Sequence, residues 1–196
     1  MNKKIEPEVV DGRRLRSERS KKAILDACGQ LTEEGVLVPT AQVISDKAGV
    51  PIRSFFRHFP DMESLFIAVD NRLRTEYERI FIERVSQGTL AERVEHAVNI
   101  RAESNEVNKN MLRSTKAQLW RYEALQANYA RNQKGLRKDF DKRVPELREL
   151  DRDTREMIDA VSSYEMWFRL RYHQKLSITK SSKMIKELIL NLIEGS

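Results

Sequence analysis

Apolar residues recur at helical spacing along most of the chain, and the interruptions between these stretches divide it into helices. The first helix is expected to begin at Ser17 or Ser20, either of which can cap it, and to end before Gly35. Its apolar face is formed by Ile24, Ala27, Cys28 and Leu31. This face is predicted to be buried.

Two short helices are predicted next. The hydroxyl of Thr40 can cap a helix over residues 41–48, and Gly49 ends it. Pro51 suits the first position of a third helix, which Pro60 stops. The sequence therefore predicts two short helices joined by a tight turn at Gly49.

The rest of the chain also has a helical pattern. Asp61 can cap a long fourth helix that reaches the region 79–84. Further breaks are expected at 86–89, at 104–105, at 126–128 and at Pro145. Asp151 or Asp153 can cap a helix with Ile158, Val161, Phe168 and Tyr172 on one face, and Ser177 or Thr179 can cap the last helix, whose stripe is Ile185, Leu188, Ile189 and Leu192. We expect an all-α chain of about nine helices.

Composition agrees with a helical protein. The 196 residues include only 7 glycines and 5 prolines. A single cysteine, Cys28, excludes an intramolecular disulfide, and its position on the first helix favours inert packing over redox sensing. The first dozen residues lack an apolar signal core, and no later stretch approaches the ~18 apolar residues of a membrane span. We therefore expect a cytoplasmic protein without membrane contact.

The position of the positive charge is more informative than its total. The net charge is +6, but residues 1–60 and residues 61–196 each carry +3. Between Arg13 and Lys22, however, six basic residues stand against one acid. This cluster favours an arm over residues 1–16 in which Arg13, Arg14 and Arg16 contact nucleic-acid phosphates. A solvated leader without function is the alternative.

A set of motifs across the first 65 residues points to a family. The residues are Ile24-Leu25-Asp26-Ala27, Leu31, Gly35, Thr40, Ile44, Ala48-Gly49-Val50, Phe56, His58-Phe59-Pro60, Glu63 and Leu65. This pattern resembles the DNA-binding domain of the TetR family of bacterial repressors. The resemblance implies a helix-turn-helix domain over 17–60, followed by a helical ligand-binding and dimerisation domain over 61–196.

The third helix has two faces that predict different roles. Phe55 and Phe59 share one face and should pack on the first two helices. Ile52, Arg53 and Arg57 lie on the other side, with Phe56. Either arginine could bind guanine O6 and N7, and Ile52 could touch a thymine methyl group. Contact with phosphates alone is the alternative for the arginines.

The resemblance also implies positions that face phosphates: Thr40, Phe56 and His58. Two of the family's usual contacts are missing, since Phe56 stands where tyrosine is usual and Met62 where lysine is usual. We expect the basic arm to replace them.

The later helices predict a dimer and a ligand site. A four-helix bundle between two copies would bury the stripe of Ile185, Leu188, Ile189 and Leu192, although packing within one chain could also bury it. Among the mixed side chains of residues 90–175, those favoured as lining a pocket for a small-molecule effector are Arg101, Met111, Trp120 and Trp167.

The expected function is therefore a ligand-responsive repressor that binds a palindromic DNA operator as a homodimer. A DNA-packaging protein and a helical protein-interaction module are the alternatives. We find no phosphate-binding glycine loop and no catalytic or metal-binding motif, so we expect neither an enzyme nor a cofactor or metal.

Overall fold

The computed structural model describes residues 12–80 and 87–195, with only the backbone for residues 73–80. Over these residues the protein is all-helical, with ten α-helices and no strand. The chain forms two compact units. Unit 1 contains Met1–Leu73 and Arg113–Leu125, and unit 2 contains Arg74–Leu112 and Gln126–Ser196. The first segment of unit 1 thus ends at residue 73, later than the expected boundary at residue 60. The chain returns to unit 1 at residues 113–125.

Unit 1 contains α1 (Gly12–Glu33), α2 (Ala41–Ala48), α3 (Ile52–His58) and the first part of α4 (Met62–Ile80). Their apolar faces form one core of Ile24, Ala27, Cys28, Leu31, Ile44, Phe55, Phe59 and Leu65. The predicted packing of the two phenylalanines on α1 and α2 is confirmed.

The first helix begins earlier than the sequence suggested. It starts at Gly12, so Ser17 and Ser20 lie inside it and cap nothing. The Ser20 hydroxyl donates instead to the carbonyl of Arg16 at 3.0 Å. Arginine and lysine are good helix formers, which extends the helix through the cluster. Arg13, Arg14 and Arg16 are therefore helical rather than part of a separate arm, whose residues 1–11 lie outside the described residues.

Local signals fix the ends of the short helices. The Thr40 hydroxyl accepts from the Val43 amide at 3.3 Å and caps α2. Gly49 closes the helix with a φ of 64°, a conformation that costs a side-chain-bearing residue free energy. At the start of α4, the carboxylate of Asp61 accepts from the Ser64 amide at 2.7 Å.

The second segment of unit 1 is bound to the first by buried polar contacts. The Ser114 hydroxyl donates to the Leu37 carbonyl at 2.8 Å, and the Gln118 amide donates to the same oxygen at 3.1 Å. Both side chains are buried. The Ala124 amide also donates to the Glu63 carboxylate at 2.7 Å. Residues 113–125 are thus an integral part of unit 1.

The remaining α-helices are α5 (Leu90–Val107), α6 (Lys109–Gln118), α7 (Glu123–Arg143), α8 (Arg152–Val161), α9 (Tyr164–Phe168) and α10 (Ile178–Glu194). A 3₁₀ turn over Pro145–Arg148 follows α7, and a π-helical turn over Arg169–His173 extends α9. Thr89 caps α5, Asp151 caps α8 and Ser177 caps α10. The expected interruption at Pro145 and the expected caps at Asp151 and Ser177 are confirmed.

Two expected breaks lie a few residues from their predicted places, and a third break was not expected. The first falls at Asn108, because α5 runs through 104–105 to Val107, and the second falls at 119–122, because α7 begins at Glu123. Serine, asparagine and glutamine are only weak helix breakers, and tertiary packing overrides their preference. The single helix expected after Asp151 is instead divided at Ser162, because the Ser163 hydroxyl accepts from the Met166 amide at 3.2 Å and starts α9.

The core of unit 2 includes part of the stripe on α10 that was expected to form the dimer interface. Ile185 and Ile189 are buried within the chain, in a cluster that includes Val94, Val98 and Trp167. Leu188 is 41% exposed and Leu192 is partly buried. Two of the four residues thus pack in their own chain, because α10 lies against α5 and α8.

Among the described helices, none is long and apolar enough to cross a membrane.

Replacing Gln118 tests whether residues 113–125 stabilise unit 1. Gln118→Leu removes one of the two donors to the Leu37 carbonyl, so the free energy of unfolding should fall by about 0.5–1.5 kcal/mol in urea denaturation. Gln30→Leu, at an exposed position on α1, is the control and should change it by less than about 0.5 kcal/mol. Equal stability of the two variants would contradict a stabilising role for this contact.

Candidate functional site

The exposed side of α3 is the most distinctive surface of unit 1. Phe55 and Phe59 are almost fully buried, and a helix of only seven residues leaves its opposite side outside the core. Arg53 and Arg57 are exposed there, and Phe56 keeps 49% of its surface exposed. The guanidinium of Arg57 reaches the Ser54 hydroxyl at 3.4 Å. Both guanidinium groups are exposed and can contact a partner outside the chain.

Ile52 was expected on the exposed side of α3 but does not lie there. It is partly buried and packs against the core of unit 1. It lies three residues before Phe55 and seven before Phe59, so it shares their side of the helix. The outward face of α3 therefore consists mainly of Arg53, Phe56 and Arg57.

His58 lies among positive charges at the end of α3. Its Nε2 atom is enclosed and has no hydrogen-bond partner among the described residues. Partial burial lowers the pKa of His58, and the charges of Arg57 and Lys21 lower it further, against a smaller effect of Glu18. The imidazole is therefore neutral at pH 7, and only its Nδ1 side could face a phosphate.

The same electrostatic effect connects α1 with α3. Lys21 acts on the His58 imidazole, so the basic part of α1 lies near the end of α3. Arg14 lies two helical turns before Lys21 and shares its face of α1. Arg13, Arg14 and Arg16 are all exposed, as is Thr40 at the start of α2. These cations extend the positive surface of α3 along α1.

Unit 2 contains a cavity beside Arg101. Its volume is about 230 Å³ including the part open to solvent, and it is lined by Val98, Arg101, Ala102, Asn105, Phe140, Ser162, Trp167 and Ile185. The room inside suffices for about one water molecule. The structure therefore brings together two of the four expected pocket residues, Arg101 and Trp167.

The other two expected pocket residues do not line this cavity. Trp120 belongs to unit 1, is 79% exposed, and donates from its indole to the Ala117 carbonyl at 3.1 Å. It lies in the turn between α6 and α7, where its ring projects from the unit. Met111 is partly buried elsewhere in unit 2.

Polar contacts fix the walls of the cavity. The guanidinium of Arg101 donates to the Ser162 hydroxyl at 2.6 Å and to the Leu136 carbonyl at 2.6 Å, and it lies 4.9 Å from the centre of the Phe140 ring. The Trp167 indole donates to the Glu106 carboxylate at 3.0 Å. Glu106 thereby orients the Trp167 ring.

Sequence reasoning missed one buried cation. Arg143 is 2% exposed, and its Nε donates to Asp139 at 2.8 Å. Its Nη1 and Nη2 atoms are enclosed and lack a hydrogen-bond partner among the described residues. The spacing of Asp139 and Arg143, four residues apart, indicates an ion pair on a helix, but it does not reveal burial.

Apolar side chains are exposed on two neighbouring helices of unit 2. Met157 on α8 is 47% exposed and Leu188 on α10 is 41% exposed. Val161 lies one turn after Met157, and Met184 and Leu192 lie one turn on either side of Leu188, all partly buried. Met157 and Leu188, unlike Ile185 and Ile189, leave enough apolar surface exposed to contact a second copy.

Cys28 is buried in unit 1, and burial raises the pKa of its thiol to about 11. Very little reactive thiolate is therefore present at neutral pH. Its position favours packing over redox chemistry.

A comparison of the sequence with the models of known protein families finds no match, and neither does a comparison with curated proteins. Function must therefore be inferred from the chain's own residues.

The lowered pKa of His58 predicts a pH effect on stability. Because its pKa is lowered in the folded protein, the unfolded chain takes up this proton first as the pH falls below about 6.5. The stability that His58 contributes is complete above that pH and is lost as the pH falls toward the folded pKa. His58→Gln should therefore lose less stability than the wild type between about pH 7 and pH 5, measured by urea denaturation. Equal losses in both proteins would contradict this.

Proposed function

We propose that the protein is a DNA-binding transcriptional regulator, a repressor that binds a palindromic operator as a homodimer and is released by a small-molecule effector. The observation that carries the proposal is the face of α3, which leaves Arg53 and Arg57 exposed while Phe55 and Phe59 anchor the helix. The resemblance of residues 24–65 to the TetR family supports it.

In this proposal α2 and α3 act as a helix-turn-helix, and α3 enters the major groove. Arg53, near the start of α3, binds guanine O6 and N7 with its planar guanidinium. Arg57, one turn later, binds a second base or a phosphate. Ile52 is too enclosed to make more than a marginal contact with a thymine methyl group.

Phosphate contacts come from the edges of the same surface. The Thr40 hydroxyl accepts from its own helix and can donate to a phosphate oxygen. Arg13, Arg14 and Arg16 supply charge from α1, in place of the tyrosine and lysine that the family usually has. His58 contributes a hydrogen bond rather than a charge, since its pKa is lowered. Phe56 offers only apolar contact with the backbone sugars.

Two copies associate through the outer sides of α8 and α10. Met157 and Leu188 are exposed there, and burying them against a symmetry-related copy removes apolar surface from water. The two copies of α3 would then reach half-sites about 34 Å apart or a multiple of that distance.

The effector binds in unit 2 beside Arg101 and Trp167. The helix α4 has residues in both units, and so have α6 and α7. A shift of α4 upon effector binding would change the spacing of the two copies of α3. Such coupling is reciprocal, so DNA lowers effector affinity by the factor by which effector lowers DNA affinity.

Arg53→Ala separates base recognition from phosphate contact. It should weaken binding to the palindrome near the protein's own gene by about 1–3 kcal/mol and relax the base preference at one position of each half-site. Mobility shifts on a set of single-base variants of the palindrome measure both effects. Equal affinity for all sequences in the wild type would favour the DNA-packaging alternative, and absence of DNA binding would refute the proposal.

The matched comparison is a triple variant of α1 in which Arg13, Arg14 and Arg16 become Ala. It should weaken binding to all sequences alike and reduce the salt slope by roughly 0.9 for each phosphate that the variant no longer neutralises. Replacing Lys134, Lys138 and Lys142, which are exposed on α7, by Ala removes the same charge from another surface. An equal slope change in this control would show that net charge alone is responsible.

Leu188→Lys tests the dimer. A charge at the centre of the outer face of α10 should convert a dimer to a monomer in sedimentation velocity, because burying an unpaired ammonium group is costly. Val107→Lys, at a position that is 76% exposed at the end of α5, should leave the dimer intact. A dimer that persists in Leu188→Lys would place the interface elsewhere.

A further inference from the structure

An enclosed positive charge lies beside the cavity of unit 2. The guanidinium of Arg101 lies among protein atoms, and its hydrogen bonds go to the Ser162 hydroxyl and to the carbonyls of Ser162 and Leu136. All of these acceptors are neutral oxygens. Loss of hydration lowers the pKa of Arg101 to about 10, so the group keeps its charge at pH 7.

Nearby carboxylates do not form an ion pair with Arg101. Asp139 is bonded to Arg143 at 2.8 Å, and Asp159 lies 3.9 Å from the guanidinium of Arg137. Each acts on Arg101 only through its field. Among the described residues, no carboxylate is within salt-bridge distance of Arg101. Arg143 adds a second buried guanidinium whose two terminal nitrogens lack partners there.

The cavity wall combines apolar surface with one further polar group. The rings of Phe140 and Trp167 line it, with the side chain of Ile185. The amide of Asn105 also lines it and has no hydrogen-bond partner among the described residues. An apolar wall with a guanidinium and a free amide suits a ligand with an apolar body and one anionic group.

We propose that the ligand of unit 2 is a small aromatic carboxylate, whose anionic group pairs with Arg101 and Asn105 and whose ring packs between Phe140 and Trp167. A carboxylate matches the planar guanidinium with two parallel hydrogen bonds, which a neutral ligand cannot equal. This proposal names the ligand class of the effector site, and it rests on the proposed function only for the ligand's role in regulation.

Entry of the ligand requires movement of the walls, since the enclosed space is only about the size of one water molecule. Arg101 joins α5 to the carbonyl of Leu136 on α7 and to Ser162 between α8 and α9. A carboxylate that takes over its hydrogen bonds frees α5 from both contacts. Ligand binding is thereby coupled to a rearrangement of helices within unit 2.

Intrinsic fluorescence tests the proposal. The chain has two tryptophans, so Trp120→Phe leaves Trp167 as the single reporter in the cavity wall. Titration with benzoate should change its emission, whereas benzamide, a neutral molecule of the same shape, should bind at least about tenfold more weakly. Inorganic phosphate should not compete with benzoate.

Variants of the arginine locate the site. Arg101→Met keeps much of the apolar volume and should weaken benzoate binding roughly 10- to 100-fold. Arg101→Lys keeps the charge but not the planar guanidinium, so its affinity for benzoate should lie between those of Arg101→Met and the wild type. Arg137→Met, at an arginine paired with Glu156, should bind as the wild type does. Circular dichroism establishes whether each variant is folded.

Several results would overturn the inference: no response to benzoate, equal binding of benzamide, or unchanged binding in folded Arg101→Met. Competition by inorganic phosphate would make the ligand an inorganic anion and would also overturn it. If Arg101→Met does not fold, the comparison of benzoate with benzamide in the parent protein decides alone. The titration contains no DNA, so a failure of operator binding would refute the proposed regulator and leave this result standing.

Discussion

The anchoring of α3 by two phenylalanines is the constraint on which the functional surface depends. A helix of seven residues is not stable alone, because its few hydrogen bonds do not offset the cost of nucleation. Phe55 and Phe59 bind it to the core formed by α1 and α2, and this fixes its rotation about its own axis. The orientation of Arg53 and Arg57 follows from that rotation. The two buried phenylalanines thus determine the exposed surface of α3, although they are not part of it.

The sequence was sufficient for the elements whose ends are fixed by local chemistry. Thr40, Gly49 and Asp61 cap or end their helices through contacts within a few residues, and their positions follow from residue type alone. The start of α9 after Ser163 depends on the same chemistry, but many serines in helices cap nothing, as Ser17 and Ser20 show. Local signals therefore identify residues at which a helix can begin or end, but they do not show at which of these residues it does so.

Burial decided the points that the sequence left open. The spacing of Ile185, Leu188 and Ile189 predicts a face of α10, but α5 and α8 of the same chain cover the first and the last of them. Tryptophan is usually enclosed, yet Trp120 projects from a turn while Trp167 lines a cavity. The burial of Arg143 likewise does not follow from its spacing to Asp139. Periodicity specifies which residues share a face, and only tertiary structure specifies what covers that face.

The contact of Gln118 and Ser114 with the Leu37 carbonyl has a consequence for modularity. Unit 1 is discontinuous along the chain, since residues 113–125 complete it. A fragment that ends at residue 73 lacks the two polar side chains that satisfy this carbonyl, and it also lacks Tyr122, whose ring packs edge-on against Phe66. Cutting the chain at that point would therefore not yield a complete module. Exchange of the amino-terminal part between proteins requires the compensating segment to be exchanged with it.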